Sequence, residues 1–493
     1  MTDLAPDARP WPAMWALCLG FFMILVDSTI VSVATPAIMK SLDAGVNEVV
    51  WVTSAYLLAY AVPLLITGRL GDRFGPKNVY LAGLTVFTLS SLWCGLTHDI
   101  HQLITARVVQ GLGAALLTPQ TMSVITRIFP ATKRGQAMGM WGAVAGVATL
   151  VGPVLGGALV DGLGWEWIFF INVPVGVVGF ALAVRLVPTL PRHSHSFDWF
   201  GVLLSAVAMF LLVFAIQEGQ DQHWDATIWT MIAVGAAVLV AFVLWQRRNR
   251  REPLVPLDLF RDRNFSLSNI AITTVGFAII AMAFPIMLYA QDVRGLSPLR
   301  AALLLVPIAV LSGILAPYVG RAADRVHPRY LAGIGLLLFP AGLVWLAAVM
   351  RPGAAIWQLE LPIALLGVGS GFVWSPLSTT ATRNLPMSQA GAGSGIYNAT
   401  RQFGSVLGSA AIAVLMQSRL GAHGLGGGTG TGTGTLPAAL HGGFSTAMAQ
   451  SLLLPAAVMV VGLVAALLYV RPTHLRRVAP ETPSAEPIPA PIA

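Results

Sequence analysis

Asp27 lies in the run GFFMILVDSTIVSVATPAI, Gly20 to Ile38, with no other charged residue within ten positions on either side. A charge at the middle of a bilayer costs roughly 2.5 to 3.5 kcal/mol on insertion scales. Two other charges share such a setting, Arg107 in RVVQGLGAALLTPQ and Arg401 in GIYNATRQFGSVLGSA. An acid there can pair with an arginine and merely fix packing. It can also load and release a proton, because a dry cavity and a nearby guanidinium push its proton affinity in opposite directions. Asp27 and Arg107 are therefore candidate proton-coupling residues, with the packing pair as the alternative reading.

Polar and aromatic residues of matching type accompany these charges. Gln110 follows Arg107 by three positions and shares its helix face. Tyr397, Asn398, Arg401 and Gln402 fall on roughly one face of a single segment, and a polar face in a membrane helix lines a cavity or a helix interface. Tyr56, Tyr60, Phe284, Tyr289 and Trp374 supply aromatic surface for an adaptable pocket. These residues make up the candidate substrate cavity, and one acid against two arginines disfavours a dicationic substrate.

The elements that must hold these side chains are membrane helices. Of the 493 residues 56% are hydrophobic and only 10% charged, against about 25% charged in an average soluble protein. The apolar residues fall in blocks of about 20, the length that crosses roughly 30 Å of hydrocarbon. The expected fold is all-α and polytopic with fourteen transmembrane helices, arranged as six, two and six. Its parts are a cytoplasmic N-terminus at 1–13, a six-helix bundle at 14–187 and two inserted helices at 199–245. A cytoplasmic connector at 246–265 leads to a second six-helix bundle at 266–470, and a disordered cytoplasmic tail occupies 471–493. Within the second bundle, 417–446 reads as an extracellular Gly/Thr-rich loop.

Charge placement orients this arrangement. With both termini and alternate loops on the cytoplasmic side, 22 of the 29 Lys and Arg fall there, five lie outside and two, Arg107 and Arg401, fall within spans. That bias sets both termini in the cytoplasm. The net charge of +8 is scattered between apolar blocks, which argues against nucleic-acid binding. Cys18 and Cys94 lie inside apolar blocks and read as small buried hydrophobes. The first block is too long for a signal-peptide core and reads as a retained span.

An internal repeat divides the chain. GRLGDRFGPK, Gly68 to Lys77, is answered by GRAADRVHPR, Gly320 to Arg329, so Gly68, Asp72 and Arg73 match Gly320, Asp324 and Arg325. Transporters are often built from such repeats around a midplane site. Each acid sits at a helix-ending turn, where it can meet the positive N-terminus of a neighbouring helix and latch the protein closed toward the cytoplasm. A solvated loop charge is the competing account. In a further segment, GAVAGVATLVGPVLGGALV, Gly146, Gly152, Gly156 and Gly157 permit close helix crossing and Pro153 introduces a kink.

Several chemistries have no support. No Gly-Lys dipeptide occurs, so there is no Walker A loop, and neither His-Glu-x-x-His nor Gly-x-Ser-x-Gly is present. The sequence gives no reason to expect an enzyme, a metal or a cofactor, and an ion gradient is the expected energy source.

Taken in order, LVDSTIVSVATP, GRLGDRFGPK, RVVQGLGAA, GVATLVGPVLGG, WEWIFFINVPVG, REPLVPLDLFRDRNF and RQFGSVLGSA resemble the major facilitator superfamily. The likeness is to its fourteen-span drug:proton antiporter branch of the EmrB/QacA type, and it runs from about Trp15 to Val470. The resemblance implies two six-helix bundles around a cavity that opens alternately to each side. It implies that Asp27 is the proton-coupling acid, Arg107 its span-four arginine, Asp72 a gating aspartate and the glycine-rich fifth segment an antiporter motif. The expected protein is a monomer of the bacterial inner membrane that exports hydrophobic or amphipathic small molecules in exchange for protons. Export of a lipid, siderophore or endogenous antibiotic, uptake by a symporter of the same fold, and a non-transporting membrane receptor are the alternatives.

Overall fold

The structure, a computed structural model, describes residues 10–470 except 45, 131–132, 191–197, 220–221, 223, 250–252, 297, 387–388, 424 and 426–435. The expected tail at 471–493, the stretch 1–9 and most of the Gly/Thr-rich loop lie outside the described residues.

Every regular element among the described residues is a helix. The first group is α1 (Pro10–Ser41), α2 (Val46–Ala61), α3 (Leu64–Phe74), α4 (Pro76–Leu96), α5 (Ile100–Ile128), α6 (Arg134–Leu163), α7 (Trp167–Phe170) and α8 (Asn172–Leu186). Next come α9 (Trp199–Glu218) and α10 (Ala226–Arg248). The last group is α11 (Arg263–Leu288), α12 (Pro298–Leu303), α13 (Val306–Ala323), α14 (Pro328–Val349), α15 (Ile356–Gly371), α16 (Trp374–Thr382), α17 (Ala390–Ala422), α18 (His441–Ser451) and α19 (Leu453–Leu467).

Local chemistry sets several of these boundaries. Aspartates cap α5, α9, α10 and α11, with Asp99, Asp198, Asp225 and Asp262 each accepting a backbone N–H of the first turn. Gly75, at φ 88°, turns the chain so that Pro76 can begin α4. A bend of 47° at Val62 and Pro63 divides α2 from α3.

Twelve helices are long and apolar enough to cross a membrane, or thirteen when that bent pair counts as one. The expected fourteen is therefore not reached by this measure on the described residues. The segment outside the count is α6, 30 residues long, several of whose side chains lie outside the described residues that the count covers.

In the first group α4 packs on α5, α2 on α5 and α1 on α6; in the last, α11 packs on α17 and α19, and α14 on α15 and α19. The groups meet at two seams, α6 on α13 and α3 on α17. Glycine permits the α1–α6 approach: a Cβ at Gly152 would lie 1.9 Å from Thr29 Oγ1, and one at Gly156 2.7 Å from Ile30 Cγ1. Gly146 serves the α6–α13 seam, where a Cβ would lie 2.8 Å from Ser312 Oγ. Gly157 faces open space, and the side chain of Pro153 lies outside the described residues.

The helices α9 and α10 pack on each other, and α9 also rests on α2 and α17 through Leu58, Met209, Val213 and Val406. Asp198 joins their ends by accepting from Trp245 Nε1 at 2.9 Å and Gln246 Nε2 at 2.8 Å. Arg69 of α3 donates to the Pro253 and Leu254 carbonyls, which ties the connector to the first group.

Candidate functional site

Asp27 is fully buried at the centre of a polar cluster. Its Oδ2 accepts from Arg107 Nη1 at 2.6 Å, and its Oδ1 from Gln110 Nε2 at 3.0 Å and Asn172 Nδ2 at 2.9 Å. Helix periodicity places Arg107 and Gln110 together on α5, and Nη1 of Arg107 also reaches Gln110 Oε1 at 2.7 Å. The same guanidinium donates from Nε to the Val52 carbonyl at 3.1 Å and stacks on the Tyr56 ring at 4.0 Å. Around this core, Asn172 bonds Ser91 Oγ at 3.0 Å and the Cys94 thiol donates to Gln110 Oε1 at 3.6 Å. Side chains from α1, α2, α4, α5 and α8 thus converge on one carboxylate. Two buried polar atoms, Arg107 Nη2 and the Tyr56 hydroxyl, have no hydrogen-bond partner.

Of the residues singled out from sequence, Asp27, Arg107, Gln110 and Tyr56 come together here. Tyr60 sits one turn on, its hydroxyl 3.0 Å from Thr118 Oγ1. Asn172, Ser91 and Cys94 were missed. Asn172 had a visible signal, a single amide in the apolar stretch IFFINVPVG; Cys94 looked like an ordinary buried hydrophobe.

The other cavity candidates stand apart from this cluster. Tyr397, Asn398 and Gln402 are buried on α17, and Asn398 Nδ2 approaches Met122 Sδ of α5 at 3.8 Å. Trp374 abuts Gly142 of α6, where a Cβ would lie 2.9 Å from its own Cβ. Phe284 is half exposed. Tyr289 belongs to a π-helical turn, Tyr289–Val293, and donates to the Arg351 carbonyl at 2.7 Å, so it clamps the end of α11 to the loop after α14.

The two repeated loops take up matching positions at the seams. Asp72 is fully buried and accepts the backbone N–H groups of Gly391 and Ala392, both at 3.0 Å, in the first turn of α17. Asp324 accepts those of Gly135 at 2.8 Å and Gln136 at 3.2 Å in the first turn of α6. A carboxylate at a helix N-terminus satisfies unpaired donors and opposes the helix dipole. The bonded arginines are Arg127 for Asp72 and Arg383, at 3.4 Å, for Asp324. Sequence reasoning named Arg73 and Arg325 among the residues of these loops and did not name Arg127 or Arg383. Arg73 lies over the Phe74 ring and Arg325 is exposed. Burial raises the Asp324 carboxyl above its usual value, and the two N–H bonds and Arg383 oppose that rise.

The glycines beside these acids repeat the symmetry. A Cβ at Gly68 would lie 2.5 Å from the Gly391 carbonyl oxygen, and one at Gly320 2.5 Å from that of Gly135.

Comparison with known proteins agrees with this architecture. The model of the Major Facilitator Superfamily matches residues 17–409. An MFS-type transporter of Mycobacterium tuberculosis is 56% identical over 94% of this chain and 81% of its own length. The tetracenomycin C resistance and export protein of Streptomyces glaucescens is 36% identical over 84% of this chain and 77% of its own. In fold, the chain is similar to the proton:xylose symporter XylE, with a TM-score of 0.63 at 14% identity, covering 93% of this chain and 94% of that one. With its helices, its repeated seams and these matches, the chain is a multi-pass membrane protein that belongs to the Major Facilitator Superfamily.

Proposed function

We propose that the protein is a proton-coupled exporter of amphipathic compounds, in the fourteen-span drug:proton antiporter branch of the superfamily. One observation carries this reading: Asp27 is met by three N–H donors from two other helices. A carboxylate so placed accepts three bonds and donates none, and adding a proton removes the charge that strengthens them. Arg107 loses most, since a neutral carboxyl no longer holds a guanidinium. Arg107 also binds the Val52 carbonyl and the Tyr56 ring, so protonation changes how α1, α2 and α5 are held together. A proton-driven cycle needs such a differential contact between its states.

In this proposal each entering proton supplies about 2.3 kcal/mol per 100 mV, which supports one-for-one exchange. The bonded Asp72 and Asp324 latch the cytoplasmic end shut, and α6 is the remaining span of a six, two and six arrangement. The membrane is the bacterial inner membrane with both termini cytoplasmic, and the substrate cavity draws on α2, α5, α16 and α17. Outward transport is supported by the glycine contacts of α6 on α1 and by the relative named for tetracenomycin C resistance and export.

Complete burial of Asp27 also favours the second reading, a pair that only fixes packing. Asp27→Asn separates the two. In everted vesicles the exporter reading expects pH-driven transport to fall to background while the purified variant still folds. The packing reading expects destabilisation by about 3 to 5 kcal/mol, with surviving molecules still coupled. Wild-type rates of proton-driven transport in the Asn variant would sink the exporter assignment.

A further inference from the structure

Arg401 is the membrane charge that the Asp27 cluster leaves unanswered. Asp27 and Arg107 neutralise each other at 2.6 Å. Arg401 stands eleven residues after Ala390 at the start of α17, about 16 Å along the helix axis, well inside the membrane. Among the described residues no carboxylate pairs with it. Its Nε is buried and has no hydrogen-bond partner, an arrangement that costs free energy unless something supplies an acceptor.

The neighbours on α17 fix the direction of this side chain. Val406 packs, with Phe403 beside it, in the cluster that covers α9. At about 100° per residue Arg401 leaves the helix about 160° from Phe403. Ser394 and Asn398 lie on its side, and Asn398 meets Met122 of α5. The backbone of Arg401 presses on α11, where a Cβ at Gly276 would lie 2.3 Å from the Arg401 carbonyl oxygen. The guanidinium therefore faces the interior between the two helix groups, and the residue as a whole is partly exposed. Two more buried polar atoms beside it lack partners, the Tyr397 hydroxyl and Asn398 Oδ1.

A guanidinium presents a planar fork of donors that fits carboxylate, sulfonate or phosphate oxygens. With Asp27 already neutralised by Arg107, Arg401 adds a positive charge to the interior that repels cations and attracts an anion. We infer that Arg401 is an anion-binding residue of the substrate cavity and that the substrate is a monoanionic amphiphile, an apolar body bearing one acidic group. The inference deepens the export reading and rests on it for the word substrate; the anion site itself does not need transport to be tested.

The test uses three dyes on one phenylnaphthylamine skeleton: anilinonaphthalene sulfonate, the uncharged parent, and a trimethylammonium derivative. Binding to the full chain in nanodiscs is read by quenching of tryptophan emission, with empty discs as the blank. The wild type should bind the sulfonate at least about tenfold more tightly than the cation. Arg401→Gln should weaken the sulfonate by roughly tenfold to a hundredfold, the range for a hydrogen bond to a charged group, and leave the uncharged parent within about twofold. Arg401→Lys should recover most of the sulfonate affinity, which a purely structural arginine would not predict. Wild-type binding of the cation as tight as the sulfonate, equal losses for sulfonate and parent, or a Lys variant no better than Gln would overturn the assignment. The binding order holding while everted vesicles show no pH-driven sulfonate uptake would remove the export reading and leave the anion site in place.

Discussion

Asp72 and Asp324 occupy equivalent places in the repeat and make equivalent bonds, yet they are not closed to the same degree. The Asp72 side chain is 0% exposed and its arginine 6%, with Arg127 in direct contact. At Asp324 the side chain is 7% exposed, Arg383 stands off at 3.4 Å, and one N–H bond lengthens to 3.2 Å. A second arginine crowds that latch, since Arg134 donates from Nη1 to the Arg383 carbonyl at 3.2 Å. Repetition in sequence therefore gives the same chemistry at two seams with unequal strength. The arginine contact of Asp72 at the α3–α17 seam is the shorter one, and on the proposed latching role the Asp324 latch is the one expected to yield first.

The sharpest way to break this comparison is to neutralise the firmer acid. Asp72→Asn leaves Arg127 buried without its counter-charge, which should cost the closed state about 3 kcal/mol, over a hundredfold in the equilibrium between closed and open. Spin labels on Asn78→Cys and Arg329→Cys, both exposed at the end where the repeated loops lie, would report the change as a longer distance.

Glycine substitutions come next and should erase the asymmetry. Gly68→Ala and Gly320→Ala each drive a methyl to 2.5 Å from a backbone carbonyl oxygen, and such overpacking costs about 2 kcal/mol. Comparable distance shifts for both would agree with matched seams. A large shift at one alone would mean that the backbones tolerate approach differently.

Asp324→Asn should have a smaller effect than Asp72→Asn, about 1 kcal/mol or roughly fivefold, because its arginine contact is longer. Equal effects of the two Asn variants would abolish the ranking.

The mildest effect is on pH dependence. Burial raises the Asp324 carboxyl, so the closed state binds a proton at this site more tightly than an open, solvated one. Its contribution to closure is then fully present below the ordinary carboxylate value and is lost as pH rises through the raised one. Acidifying the bath on the repeated-loop side toward that window should shorten the label distance, and Asp324→Asn should remove the response.

Much of the candidate site was legible because the membrane makes charge expensive. Asp27, Arg107 and Arg401 stood out against apolar surroundings, and the repeated Gly-x-x-x-Asp-Arg pattern marked both latch loops. Periodicity placed Gln110 beside Arg107, as observed. Asn172 was passed over although it stands alone in IFFINVPVG, and Arg127 was not recovered, since an arginine near a helix end has no local pattern that tells a buried partner from a solvated one. The count of fourteen spans relied on apolar block length, and the bend at Pro63 splits one such block into two helices.

Composition and spacing alone determined that this chain is helical, crosses a membrane repeatedly, carries a two-fold repeat and hides a few charges in its apolar segments. These are local properties, fixed by the cost of exposing backbone and charge to hydrocarbon. Only the tertiary structure decided which donors reach Asp27, which arginine answers each latch acid, and that Arg401 pairs with no carboxylate among the described residues. Those partners lie as far apart as residues 72 and 391, and a pairing at that separation depends on where whole helices come to rest.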